Sequence, residues 1–273
     1  MYEISTKSFW ATWGVPVCAL SGMTFFLLDP LSDQVLFFYL NRLSFFTGEG
    51  MWSCLTVFGD EFVAITLGLP FMMWRREMTW TMLLAILFSY AIVHGLKPLC
   101  ATDRPSLVFQ ETAWLHVIGP VFLKGSFPSG HTTTIFTLIS LHVLTFRNVP
   151  IGLFGALLLF GLAVGMSRCV VGVHWPVDVM AGMAFGWLSG LLSSTLIKRR
   201  PIEARFYYPI IALFLVCSVF VITWHDPGYP YSRPFQIILS SMSLLVSISY
   251  FVVPKSILYL RPNWKFAHRK STY

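Results

Sequence analysis

Residues 149–196 read VPIGLFGALLLFGLAVGMSRCVVGVHWPVDVMAGMAFGWLSGLLSSTL, two apolar runs on either side of a short polar connector. Each run, 149–166 and 176–196, has the roughly 20-residue length a helix needs to cross about 30 Å of hydrocarbon. Six further runs of this kind lie outward of the pair, at about 9–28, 55–74, 78–96, 129–146, 207–224 and 235–253. The run at 55–74 is the least regular, because Gly59, Asp60, Glu61 and Pro70 interrupt it. Residues 30–47 carry too many polar groups to cross and are expected to lie at the membrane interface as an amphipathic helix. The first run has no small-residue cleavage site and reads as a retained span. The expected fold is an all-α polytopic membrane helix bundle: a six-span core followed by two C-terminal spans.

Composition supports the same reading. Hydrophobic residues make up 56% of the 273 residues and charged residues 11%, against about 25% charged in soluble domains. The net charge of +7 does not indicate a nucleic-acid partner, because the basic residues sit in short connectors rather than in one surface stripe. With the N-terminus inside, the inner connectors hold Lys7, Arg75, Arg76, Arg147, Lys198, Arg199, Arg200, Arg205, Lys255, Arg261, Lys265, Arg269 and Lys270. The outer side holds only Arg42, Lys97, Arg104, Lys124, Arg168 and Arg233. This Lys/Arg asymmetry predicts that both termini are cytoplasmic. Trp10, Trp74, Trp80, Trp175, Trp224 and Trp264 fall near span ends, as an aromatic belt would.

Three outer basic residues share their loops with titratable groups, and three motifs result. The first, Lys97-Pro-Leu-Cys-Ala-Thr-Asp-Arg104-Pro105, offers a compact ammonium and a planar guanidinium, both suited to phosphate oxygens. Taken alone, the two cations are equally well read as snorkelling anchors, although anchors favour the opposite side. The second, Ser126-Phe-Pro128-Ser129-Gly130-His131, reads as a helix start with Ser129 as N-cap. Gly130 permits close backbone approach, and the free N–H groups of the helix end attract an anion. His131 stands beside them as a proton donor, or as an incidental residue of an ordinary capped span.

The third motif is Ser167-Arg168-Cys-Val-Val-Gly-Val-His174-Trp-Pro176-Val-Asp178. Pro176 suits a first helical turn, which places Asp178 one turn from His174. A carboxylate on one imidazole nitrogen fixes the tautomer and frees the other as a nucleophile, although a buried structural His–Asp pair would look the same. An acid at the hydrocarbon edge is costly and points to function.

In order and without substitution, these motifs resemble the signature KxxxxxxRP, PSGH and SRxxxxxHxxxD of the type 2 phosphatidic acid phosphatases. The resemblance covers about residues 55–197. It implies a metal-independent, cofactor-free lipid phosphatase in which His174 is the nucleophile, Asp178 its partner and His131 the general acid and base. It also implies that Lys97, Arg104, Arg168, Ser129 and Gly130 hold the phosphate. The expected organisation is an N-terminal span with its interfacial segment (1–54), the catalytic core (55–197) and two further spans with a basic tail (198–273).

A bacterial inner membrane with the site on the periplasmic face makes undecaprenyl diphosphate the leading expected substrate. Phosphatidic acid, phosphatidylglycerol phosphate and lipid A follow, with phosphotransfer between lipids as an alternative reaction. A lipid transporter or flippase would instead place charge deep within the spans. His94, His116, His142, His225 and His268 show no carboxylate partner in the sequence and are expected to be structural. Of these, His94 lies near the site, and His116 lies in the outer loop 106–127 with Trp114 and Phe122. Asp60 and Glu61 are expected at the outer interface, orienting the second span. Cys100 and Cys169 fall in the outer motif loops, where a disulfide is conceivable; a small hydrophobic role is the expectation for Cys18, Cys54 and Cys217, in or near apolar runs.

Overall fold

Glycines at four-residue intervals organise the bundle. In the computed structural model, which describes residues 10–109, 114–146, 149–199 and 206–252, twelve α-helices follow a short π-helical turn at Trp10–Gly14. We number them α1 (Val15–Leu28), α2 (Pro30–Asn41), α3 (Leu43–Thr47), α4 (Glu49–Val57), α5 (Glu61–Trp74) and α6 (Arg76–Cys100). The remainder are α7 (Pro105–Val108), α8 (Gly130–Thr145), α9 (Ile151–Val170), α10 (Pro176–Arg199), α11 (Tyr207–Thr223) and α12 (Ser232–Val252).

On α10, Gly182, Gly186 and Gly190 present backbone to α8. A Cβ at any of them would collide with Ser129, Thr133 or Ser140. Small residues at this spacing let membrane helices approach closely, and Thr137 Oγ1 then donates to Gly186 O at 3.2 Å. Gly161 and Gly165 of α9 meet α8 from the other side, against Ile139, Phe136 and Thr132, and Gly165 also touches Val179 of α10. The start of α8 is thereby clamped between two helices. The adjoining core gathers Phe136, Ile139, Val164, Ala184 and the fully buried Trp187, whose indole donates to Thr12 O at 3.2 Å.

The expected all-α membrane bundle is what the fold shows, with differences at the span level. Among the described residues, α6, α9 and α10 are long and apolar enough to cross a bilayer alone, and two bent helix pairs raise the number to five. One pair is α1 with α2–α3, bent by 109°. The break falls at Asp29, whose carboxylate caps α2 by accepting from Ser32 N at 3.2 Å and from Ser32 Oγ at 2.6 Å. The expected second span at 55–74 is the other pair, α4 and α5, bent by 58° around Phe58–Asp60. Gly59 at this elbow lies so close to His131 that a Cβ would stand 2.7 Å from His131 Cβ. Helix α8 spans only about 24 Å at 1.5 Å per residue, and it is enclosed by its neighbours rather than by lipid. Helix α12 carries Ser240, Ser241, Ser243, Ser247 and Ser249 along its length. Ser243 donates across to Thr66 O of α5 at 2.7 Å, fastening the C-terminal helices to the bundle.

Candidate active site

All three motifs meet at the start of α8. Ser129 caps that helix, its hydroxyl accepting from Thr132 N at 3.4 Å, while Ser129 N donates to Asp178 O at 3.1 Å. The connector from α9 to α10 folds back on itself because Val173 N and His174 N both donate to Arg168 O, at 3.1 and 3.3 Å. The loop after α6 joins in through Trp175 Nε1, which donates to Asp103 O at 2.9 Å. A lone β-bridge between Asp103 and Lys124 closes that loop against the segment leading to α8.

His174 and Asp178 are almost entirely buried, with His174 Nδ1 3.2 Å from Asp178 Oδ2. Two further donors converge on the same oxygen: Ser126 Oγ at 2.5 Å and Trp175 N at 2.9 Å. On the opposite edge of the ring, His174 Nε2 lies 3.5 Å from Arg104 Nη1. A guanidinium only donates, so this contact fits the tautomer with a lone pair on Nε2 and the proton on Nδ1 facing the carboxylate. Burial, then the charges of Arg104 and Arg168, lower the His174 pKa well below the ordinary imidazole range. A neutral, oriented imidazole results, with its unprotonated nitrogen turned toward the cations.

Those cations differ in how they are held. Arg104 donates through Nε to Lys124 O, through Nη1 to Val173 O and through Nη2 to Gly125 O, at 3.1–3.2 Å. Phe122 lies under its guanidinium at 5.0 Å. Burial and the Arg168 charge lower the Arg104 pKa to about 10, which leaves it charged at neutral pH. Arg168 is 2% exposed and donates through Nη1 to the hydroxyls of Thr56 and Tyr229, while its Nε is buried without a partner. Half-buried Lys97, in the last turn of α6, makes no hydrogen bond or ion pair among the described residues. His131 Nε2 is likewise buried and unpaired. The free Arg168 and His131 nitrogens, with the N–H groups following Ser129, suit the oxygens of a phosphate.

Comparisons with known proteins agree with this arrangement. Residues 78–202 match the PAP2 superfamily model. A lipid A 1-phosphatase from Rhizobium etli is 38% identical over 63% of this chain and 70% of its own length. An undecaprenyl-diphosphatase from Sulfolobus acidocaldarius is 32% identical over 57% of this chain and 74% of its own length. The chain belongs to the PAP2 superfamily. It is a membrane-bound lipid phosphatase. The crystal structure of LpxE from Aquifex aeolicus shares the fold, with a TM-score of 0.52 and 26% identity over 60% of this chain and 94% of that one.

The PAP2 match spans α6 to α10 and all three motifs. Several side chains around the site lie outside it, and the sequence did not single them out. Asp33 of α2 accepts from Val177 N at 2.8 Å and so anchors the first turn of α10. Asn41 donates to His116 O, Cys169 O and Val170 O, tying α2 to the end of α9. Ser126 stood inside a recognised motif, and only its hydroxyl beside the carboxylate marks its part.

Three of the histidines expected to lack an acidic partner have one. His116 Nε2 is 2.7 Å from Glu49, His225 Nε2 is 3.0 Å from Asp60, and His94 Nε2 is 4.0 Å from Glu61. The partners lie far away in sequence, so spacing could not reveal them. Asp60 is a buried cap of α5, accepting from Phe62 N and Val63 N. His268 lies outside the described residues. Cys100 is exposed, Cys169 is buried, and both are free thiols.

Proposed function

We propose that the chain removes a terminal phosphate from a lipid through a phosphohistidine on His174, with undecaprenyl diphosphate as substrate. The observation that carries this reading is the placement of His174 between Asp178 on Nδ1 and Arg104 facing Nε2. Nε2 attacks phosphorus, the bond to the lipid-side oxygen breaks, and His131 supplies the proton that oxygen takes up. Asp178 stabilises the imidazolium character that develops on His174. His131 then takes a proton from water, the water oxygen bonds to phosphorus, and the N–P bond breaks to release inorganic phosphate. Lys97, Arg104, Arg168 and the N–H groups around Ser129 and Gly130 neutralise the non-bridging oxygens throughout. Charge neutralisation by these groups supports a metal-independent reaction.

The Lys/Arg asymmetry supports both termini in the cytoplasm and the site on the periplasmic face. The phosphatase core that carries the three motifs is residues 55–197, preceded by 1–54 and followed by 198–273. Lipid A 1-phosphate is a second reading, favoured by the Rhizobium etli relative. Phosphate release is to be measured in detergent with chelator present, from undecaprenyl diphosphate, lipid A, phosphatidic acid and phosphatidylglycerol phosphate. Fastest release from undecaprenyl diphosphate, unchanged by chelator, is the expected result. A preference for lipid A overturns the substrate assignment, and loss of activity to chelator overturns the metal-independent mechanism.

A further inference from the structure

The two C-terminal helices lie outside the residues 78–202 of the family match, yet the loop between them reaches the phosphate site. After α11 the chain runs through His225-Asp226-Pro227-Gly228-Tyr229-Pro230-Tyr231 before α12 begins at Ser232. Gly228 and Tyr231 take positive φ values of 77° and 62°. The turn they shape drives Tyr229 inward, where it is 6% exposed among Trp52, Ile118, Val170, Val171 and Val173. A Cβ at Gly119, itself at φ 84°, would stand 2.6 Å from the Tyr229 ring, so the outer loop is shaped to receive this side chain.

Inside, the Tyr229 hydroxyl accepts from Arg168 Nη1 at 2.8 Å, and the ring stands 5.4 Å from the guanidinium carbon. The Thr56 hydroxyl, at the end of α4, accepts from the same nitrogen. Two fixed acceptors on one Nη define how the planar guanidinium is rotated. The Nε edge is left buried and unpaired. The loop is itself secured: Gln236 Nε2 donates to His225 O and Val221 O, both at 2.9 Å, and His225 pairs with Asp60 at 3.0 Å.

We infer that Tyr229 is a positioning residue that aims the Arg168 guanidinium at the substrate phosphate, making the α11–α12 hairpin part of the catalytic unit rather than an appendage. The inference rests on the assignment of Arg168 to phosphate. In an unpositioned state, a buried arginine flanked by Lys97 and Arg104 would be repelled from the phosphate site by like charge. The hydroxyl and the ring face of Tyr229 hold it in place without adding a negative charge that would compete with phosphate.

The test is a double-mutant cycle on the full-length protein with Tyr229→Phe and Arg168→Gln, read by two measurements. One is kcat/KM for lipid phosphate release. The other is the dissociation constant of inorganic phosphate from its stabilising effect on thermal unfolding, which needs no turnover. Tyr229→Phe keeps the ring and removes only the acceptor, so kcat/KM is expected to fall about tenfold, the scale of a hydrogen bond to a charged group. Phosphate affinity is expected to fall by a similar factor. In the Arg168→Gln background the same change is expected to alter neither quantity. Parent-like values for Tyr229→Phe overturn the inference, as does an equal loss in both backgrounds. Should a variant be less stable, the cycle is run where all four proteins remain folded, and the comparison between backgrounds still decides. Phosphate binding by a parent protein that hydrolyses none of the lipids would contradict the substrate assignment while leaving this inference open to the same cycle.

Discussion

Two histidine–carboxylate pairs occupy this end of the bundle and use the same chemical groups to different ends. His174 and Asp178 are four residues apart and almost wholly buried. The carboxylate binds one ring nitrogen and an arginine faces the other. His225 and Asp60 are 165 residues apart and partly exposed. There a single nitrogen, Nε2, meets both carboxylate oxygens at 3.0 Å, while the ring packs against Phe62. Asp60 also caps α5, so its pair fastens the C-terminal hairpin to a helix start. A His–Asp contact is therefore no signature of catalysis by itself. The surroundings differ: a guanidinium stands at the second nitrogen of His174, whereas the His225 ring packs against Phe62.

Substitutions can break this contrast, beginning with its strongest consequence. His174→Ala is expected to lower kcat by roughly 10⁴–10⁶-fold, as removal of a nucleophile does, with the helical circular dichroism of the parent retained. Asp178→Asn is expected to cost about 10³–10⁴-fold, the scale of losing the correct tautomer, measured with the same lipid. His131→Ala is expected to cost roughly 10²–10⁴-fold, the range for general acid–base catalysis. That loss is expected to shrink with p-nitrophenyl phosphate, whose leaving group needs no proton.

The pH dependence of kcat/KM sharpens the comparison further. In the proposed mechanism only neutral His174 attacks, and burial with the nearby arginines lowers its pKa. The neutral form therefore persists as pH falls through the ordinary imidazole range. The acid limb for the nucleophile is expected below about 6.5, the unperturbed histidine value. Arg104→Gln removes one of the depressing charges and is expected to move that limb upward; a limb that stays in place refutes the electrostatic assignment. The smallest catalytic effect belongs to His225→Ala. It is expected to cost less in kcat/KM than Tyr229→Phe, because Gln236 still holds the loop, while destabilising the fold by about 1–3 kcal/mol, the scale of one charge-assisted hydrogen bond, seen as a lower Tm.

The site was legible where its determinants were local. An i,i+4 relation joins His174 to Asp178, Ser129 caps a helix that begins one residue later, and Lys97, Arg104 and Arg168, expected on the outer side, stood against the topological preference for inner cations. Apolar run length likewise located α6, α9 and α10, which among the described residues are long and apolar enough to cross alone, and missed the elbow at Phe58–Asp60 that brings Gly59 against His131. Contacts closed by packing could not be read in this way. Tyr229 and Arg168 are 61 residues apart, Ser126 and Asp178 are 52 apart, and Asp33 and Val177 are 144 apart. The Ser126–Asp178 and Asp33–Val177 contacts depend on how α10 seats against α8 and α2, and the Tyr229–Arg168 contact on how the α11–α12 loop seats against α9; none follows from a pattern within one segment. The three hidden histidine partners have the same origin.

The central claim is a covalent phosphate on His174, and trapping it is the most direct test. The His131→Ala protein, turning over ³²P-labelled p-nitrophenyl phosphate, is quenched in alkali and its peptides are mapped. The account predicts a burst of nitrophenol matched by protein-bound phosphate that is stable to alkali, labile to acid and confined to His174. A burst without bound phosphate, or label on any other residue, would contradict it.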